Sequence, residues 1–159
     1  MTERTVTHAS FVIERHYDSP REAVFNAFAD PDKKRRWFAE GEGFALDEYE
    51  LDFRVGGRER SRFRFVGNND AVAEGTPMGN DTTFMDIIDQ QRIVFAYSMS
   101  MGGKPFSASL ATIELLAVEN GTALVFTEQG AFFEGGDNAE MRERGWRELF
   151  DALQKALST

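Results

Sequence analysis

The sequence predicts an α+β fold in which one antiparallel sheet wraps around a single long C-terminal helix, with two short helices after the first strand. Three observations carry that prediction. From Asn138 to Leu157, the apolar residues Trp146, Leu149, Phe150, Leu153 and Leu157 fall at intervals of three and four between charged residues, as in an amphipathic helix of about five turns. From Phe44 to Phe132 the chain reads instead as strands divided by glycine turns. Ser19-Pro20 and Asp30-Pro31 are two proline-led helix starts placed between the first strand and the rest. A long helix with one apolar stripe needs a sheet to cover, and the sheet is available upstream.

In chain order, residues 1–8 are expected as a flexible tail and 9–159 as a single domain. Phe11, Ile13, Arg15 and Tyr17 alternate with Val12, Glu14 and His16 in a first strand. Ser19-Pro-Arg-Glu22 has the form of a capping box with Pro20 at the first helical position, and the helix that follows carries Val24, Phe25 and Phe28. Asp30-Pro31 opens a second short helix running to Trp37-Phe38. Ala45 to Phe53 and Arg58 to Val66 are strands joined at Gly56-Gly57. Gly67-Asn68-Asn69-Asp70 is a turn, after which Ala71 to Glu74 starts a strand that the loop Gly75 to Asp81 interrupts before Thr82 to Ile88 resumes it. Arg92 to Met101 and Phe106 to Val118 follow, joined at Gly102-Gly103.

Asn120-Gly121 is the strongest hairpin signal in the chain. A two-residue turn there pairs Glu119 with Thr122 and sets Ile113 opposite Glu128. One face then collects Ser107, Ser109, Ala111, Ile113, Leu115, Leu124, Phe126, Glu128 and Phe132, and this face should pack beneath the long helix. An odd loop at Gly102-Gly103 would set bulky Phe95, Tyr97 and Met99 beside Ala111, Ser109 and Ser107; an even loop would turn them away. Gly145, inside the long helix, permits either close helix-to-sheet approach or room above a pocket.

Composition narrows the function classes. A chain of 159 residues with 42% hydrophobic content can bury a sizeable core as one domain, and a formal charge of −9 argues against nucleic acid, which needs clustered Lys and Arg. The short basic run Lys33 to Arg36 reads as a solvated helix face. With no cysteine and two histidines, His8 in the expected tail and His16 on the face opposite Ile13, no metal site and no cofactor are predicted. The polar N-terminus lacks a signal peptide's pattern, and no window approaches the roughly 18 apolar residues of a membrane span, so a cytoplasmic protein without a membrane partner is expected. Fifteen phenylalanines suit a packed core or a cavity wall.

Ser-Pro-Arg-Glu-Ala-Val-Phe-Asn-Ala-Phe-Ala-Asp-Pro from Ser19, Trp37-Phe38, Asp52-Phe-Arg-Val-Gly-Gly57, Arg92-Ile-Val-Phe-Ala-Tyr-Ser-Met99, Gly121-Thr-Ala-Leu-Val-Phe-Thr-Glu-Gln-Gly130 and Gly145-Trp146 together resemble the domain named after the heat-shock protein 90 ATPase activator. That domain belongs to the START-like, polyketide-cyclase-like (SRPBCC) superfamily. The resemblance covers about residues 10 to 157, with its blocks in order. It implies a helix-grip (START-like, Bet v-like) fold: strand, two short helices, a six-strand antiparallel sheet, then the long helix. Functionally it implies a scaffold used by lipid carriers, cyclases, oxygenase domains and chaperone activators. The additional N-terminal domain of the true co-chaperone has no counterpart here, which places a chaperone partner behind a small-molecule one.

No nucleophile motif is present. Glu128 is the one acid–base candidate, because the hairpin places it on the apolar face; alternatively Arg15, Arg60 or Arg142 pairs with it there. Asp52 and Arg54 should fix a turn or the sheet rim, as should Asp86. The residues expected to line a pocket are Trp37, Phe63, Phe95, Tyr97, Phe126, Trp146 and Phe150, with Ser109 and Glu128 supplying polarity. The leading reading is therefore a protein that binds a small hydrophobic or aromatic molecule between sheet and helix. A cyclase- or hydrolase-like enzyme using Glu128 is the second reading, and a chaperone ATPase-activating module the third. An exposed aromatic patch could also mediate a homodimer.

Overall fold

The computed structural model describes residues 4–41, 43–67, 73–134 and 137–159. Its elements are β1 (Val6–Tyr17), α1 (Arg21–Ala29), α2 (Pro31–Lys34) running on as a π-helical turn (Arg35–Ala39), β2 (Phe44–Leu51), β3 (Arg58–Phe65), β4 (Pro77–Ile88), β5 (Arg92–Met101), β6 (Lys104–Val118), β7 (Gly121–Phe133) and α3 (Ala139–Leu157). Strands β2 to β7 form a meander, and β1 closes onto the free side of β7, giving one antiparallel sheet ordered β1-β7-β6-β5-β4-β3-β2. This is the expected helix-grip arrangement.

Local chemistry accounts for the helix starts. The Asp30 carboxylate accepts from the amides of Asp32 and Lys33, with Pro31 in the first turn where no amide is needed. Asn138 caps α3 by accepting from the Met141 amide at 2.9 Å. The expected capping box at Ser19 does not form. Pro20 itself takes the cap position, no side chain caps α1, and the Ser19 carbonyl accepts from the Thr122 hydroxyl, tying the helix start to β7.

The strands depart from local expectation where pairing overrides turn propensity. β1 begins at Val6, not Phe11, so Val6 to His8 of the expected tail are strand; they pair with Phe133 to Ala131, because the long β7 needs partners for its outer backbone groups. The segment Pro77 to Asp81 is strand rather than loop. Gly79 lies opposite Arg62 there, and a Cβ would come within 2.9 Å of the Arg62 guanidinium, so this glycine serves packing and not a turn. The expected turn at Asn68 to Asp70 and the strand start at Ala71 lie outside the described residues.

The β6–β7 hairpin turns one residue earlier than Asn120-Gly121. Val118 pairs with Gly121, so Ala111 stands opposite Glu128 and Ile113 opposite Phe126. Paired there, Gly121 approaches β1 so closely that a Cβ would collide with the Tyr17 carbonyl, so only glycine fits the position. The two-residue shift preserves side-chain parity, and all nine residues expected on the inner face are buried there. The Gly102-Gly103 loop is even, but a bulge leaves Phe106 of β6 unopposed and restores Phe95, Tyr97 and Met99 to positions beside Ala111, Ser109 and Ser107.

The core lies between this inner face and the helices. Trp146, Phe150 and Leu153 of α3 meet Phe126 and Ile13, while Phe28 of α1 meets Trp37. Each such side chain contributes roughly 1.5–3 kcal/mol through burial. A Cβ on Gly145 would meet no atom within 4 Å, so the glycine is not a close-approach device.

Candidate functional site

Pairing lays the inner-face side chains out in rows across the sheet. One row runs Phe84, Phe95, Ala111, Glu128; the next runs Leu51, Glu59, Thr82, Tyr97, Ser109. A third runs Tyr49, Ser61, Asn80, Met99, Ser107, and the last Leu46, Phe63, Met78, Met101. α3 starts at the level of Ser107 and runs away from the last row, as its contacts to Ser107, then Tyr97, then the Tyr17 hydroxyl show.

Beneath the first two turns of α3 lies a closed polar network centred on Glu128, which is 0% exposed. One carboxylate oxygen accepts from the Tyr97 hydroxyl at 2.6 Å and the Trp146 indole at 3.0 Å. The other accepts from the Ser109 hydroxyl at 2.8 Å and Arg142 at 3.1 Å. Arg142 in turn donates to Ser107 at 2.6 Å and to Asp137 at 2.9 Å. Of the three arginines considered as partners for Glu128, Arg15 bonds Asp151 instead and Arg60 lies near Glu48. Burial, then the charge of Glu128, raises the Tyr97 phenol well above its ordinary range. For Arg142, burial opposes the charge, but Tyr97, Glu128 and Asp137 outweigh it and the net shift is upward. With two donors on each oxygen, Glu128 has little remaining capacity to accept from a substrate.

Tyr97, Ser109, Phe126, Glu128, Trp146, Phe150 and Phe95 thus lie together, all of them buried. Trp146 packs 4.5 Å from the Phe126 ring centroid and 5.5 Å from that of Phe150. Trp37 joins indirectly: its indole donates to the Ala27 carbonyl, and it touches Phe38, which lies over Trp146. Phe63 stands apart from that group, half-buried in the last row with its ring against Phe44. Asp52 and Arg54 pair at the β2–β3 turn, and Asp86 pairs with Arg92 at a sheet end.

A second buried cluster escaped the sequence reading. Lys34 belongs to the basic run expected as a solvated face, yet it is 4% exposed, whereas Lys33, Arg35 and Arg36 are exposed. Its ammonium bonds Glu59 at 2.7 Å and lies 4.5 Å from the Phe38 ring centroid. The Tyr49 hydroxyl donates to the other Glu59 oxygen at 2.5 Å. Burial, then Glu59, raises the Tyr49 phenol far above its ordinary range. The one available signal was Glu59 alternating in register with Ser61 and Phe63. Two solvent-open depressions, beside Ser19 to Glu22 and on the outer sheet face near His8, contain neither buried charge pair. Among the described residues no three His, Cys, Asp or Glu converge as metal ligands, and no helix is long and apolar enough to cross a membrane.

A seven-strand sheet gripping a C-terminal helix, with short helices after the first strand, defines an α+β helix-grip domain of the START-like type. The model of the family described as activator of Hsp90 ATPase homolog 1-like protein matches residues 18–158, and the chain belongs to that family. A solved protein of Rhizobium leguminosarum is 38% identical, with a TM-score of 0.87 over 99% of both chains. The Mll3558 protein of Rhizobium loti is 45% identical, with a TM-score of 0.83 over 96% of this chain and 99% of its own. An AHSA1-like protein of Aeromonas hydrophila, 21% identical with a TM-score of 0.68 over 94% of this chain and 92% of its own, shares the fold. No curated protein matches.

Proposed function

We propose that the protein binds a small hydrophobic or aromatic molecule in the cleft between the inner face of β2–β5 and the helical layer formed by the π-helical turn and the start of α3. One observation carries this reading. The row Leu46, Phe63, Met78, Met101 belongs to the same face that is sealed under α3 further along, yet all four side chains are only half-buried, and Phe44 beside them is 41% exposed. A core-facing apolar surface left incompletely covered is a ligand-sized opportunity, and methionine supplies adaptable contact area. Phe95, Tyr97, Trp146 and Trp37 form the inner wall, with Phe126 and Phe150 behind it. The saturated Glu128 network supports a rigid frame here over acid–base chemistry.

Methionine methyl groups test the reading directly. In a 13C-methyl-labelled sample titrated with 2-ethylnaphthalene, Met78, Met99 and Met101 should shift saturably, while exposed Met85 and Met141 stay fixed. Equal movement of all five, or none at the three cleft positions, would overturn the proposal.

A further inference from the structure

The cleft reading leaves open what distinguishes one apolar ligand from another, and the row Tyr49, Ser61, Asn80 bears on that choice. Ser61 is 4% and Asn80 8% exposed. The Asn80 carbonyl oxygen already accepts from the Thr82 hydroxyl at 3.1 Å, but its amide nitrogen donates to no described residue, and the Ser61 hydroxyl bonds to none. Among the described residues, every side-chain nitrogen or oxygen sealed from solvent has a partner. These two groups are therefore not sealed: they face accessible space from positions more than nine-tenths buried. Ser61 and Asn80 are directly paired across β3 and β4, which puts their side chains about 5 Å apart on one face.

Resting on the proposed cleft, we infer that Ser61 and Asn80 form a head-group site for a neutral carbonyl oxygen on an otherwise apolar ligand. Two donors side by side match the two lone pairs of one carbonyl oxygen. The acceptor must be neutral because, among the described residues, no unpaired cation stands beside the site: Lys34 is committed to Glu59, and a ligand carboxylate buried there would lack a counter-charge. The apolar row of Phe63 and Met78 then takes the ligand's hydrocarbon body.

Two probes of one shape separate this inference from the reading beneath it. The native protein should bind 2-acetylnaphthalene about tenfold more tightly than 2-ethylnaphthalene, by titration calorimetry. Asn80→Leu and Ser61→Ala should each reduce that preference while leaving 2-ethylnaphthalene affinity in place, which reports an intact cleft. Equal affinities in the native protein, or a preference that survives both substitutions, would overturn the head-group site and leave the cleft standing. Binding of neither probe would overturn the cleft and this inference with it. Should Asn80→Leu lose both probes, Ser61→Ala, which removes one hydroxyl and little packing, decides the matter alone.

Discussion

Replacing Arg142 with Met tests whether the Glu128 network holds α3 to the sheet. The change keeps most of the aliphatic stem, but removes the guanidinium, which lies over the Tyr97 and Phe132 rings. Glu128, 0% exposed, would lose its only cationic partner among the described residues and one of its four donors. Leaving a buried carboxylate uncompensated costs about 3–5 kcal/mol. That is a large share of the ~5–15 kcal/mol that holds an ordinary domain together. For a chain of this size it corresponds to a fall in Tm of about 6–20 °C. Ser107 loses a donor as well, whereas the partly exposed Asp137 can rehydrate.

Urea unfolding followed by the fluorescence of Trp37 and Trp146, both buried, reads the effect in the native, Glu128→Gln, Arg142→Met and doubly substituted proteins. The double substitution removes both charges, while the amide oxygen of the introduced glutamine can still accept from Tyr97 and Trp146. It should be more stable than Arg142→Met alone, with a coupling of about 1.5–3 kcal/mol. A single Arg142→Met loss under about 1 kcal/mol, or additive single effects, would refute the argument that the arginine compensates a buried charge.

Two further outcomes follow from the helix and the tyrosines. Gly145→Ala should stabilise the protein by about 0.5–1 kcal/mol, since the residue is interior to α3 and its new methyl would meet no atom within 4 Å; a lower urea midpoint would contradict the open space beside it. All three tyrosines of the sequence, Tyr17, Tyr49 and Tyr97, have phenols raised above the ordinary value of 10.0, chiefly by burial. The unfolded chain therefore releases these protons first, so the tyrosines' contribution to stability should be constant below pH 10 and fall above it, by up to about 1.4 kcal/mol per group per pH unit. Tyrosinate absorbance should rise only together with loss of circular dichroism; ionisation near pH 10 in the folded protein would exclude this.

The sequence made legible whatever depends on periodicity. Trp146, Phe150 and Leu153 declared the buried stripe of α3, and strand alternation placed Ser109 and Glu128 on the inner face even though the hairpin turn was set one residue late. A two-residue shift in register keeps side-chain parity, so both residues stay on the same face. Positions governed by distant pairing were not legible. Asn80 sits in Thr-Pro-Met-Gly-Asn, a composition that favours a turn locally, yet pairing with both β3 and β5 holds it as strand. Lys34 lies among exposed basic residues, and only the arrival of Glu59 from a strand 25 positions away makes its burial tolerable.

The two buried charge pairs therefore serve different ends. Around Glu128, Tyr97, Ser109, Arg142 and Trp146 each spend a donor inward, and the result is a fixed joint between β7 and α3. Around Glu59 the charge is likewise neutralised, by Lys34, with Tyr49 donating to the other oxygen, but the adjoining Ser61 hydroxyl and Asn80 amide keep donors that no described residue takes up. Recognition requires polar groups that are positioned but not yet satisfied, because a group already bonded within the fold gains nothing by meeting a ligand. The conspicuous carboxylate at Glu128 fails that requirement, whereas the less conspicuous Ser61 and Asn80 meet it, and on the proposed reading Phe63 and Met78 in the next row would receive the rest of the molecule.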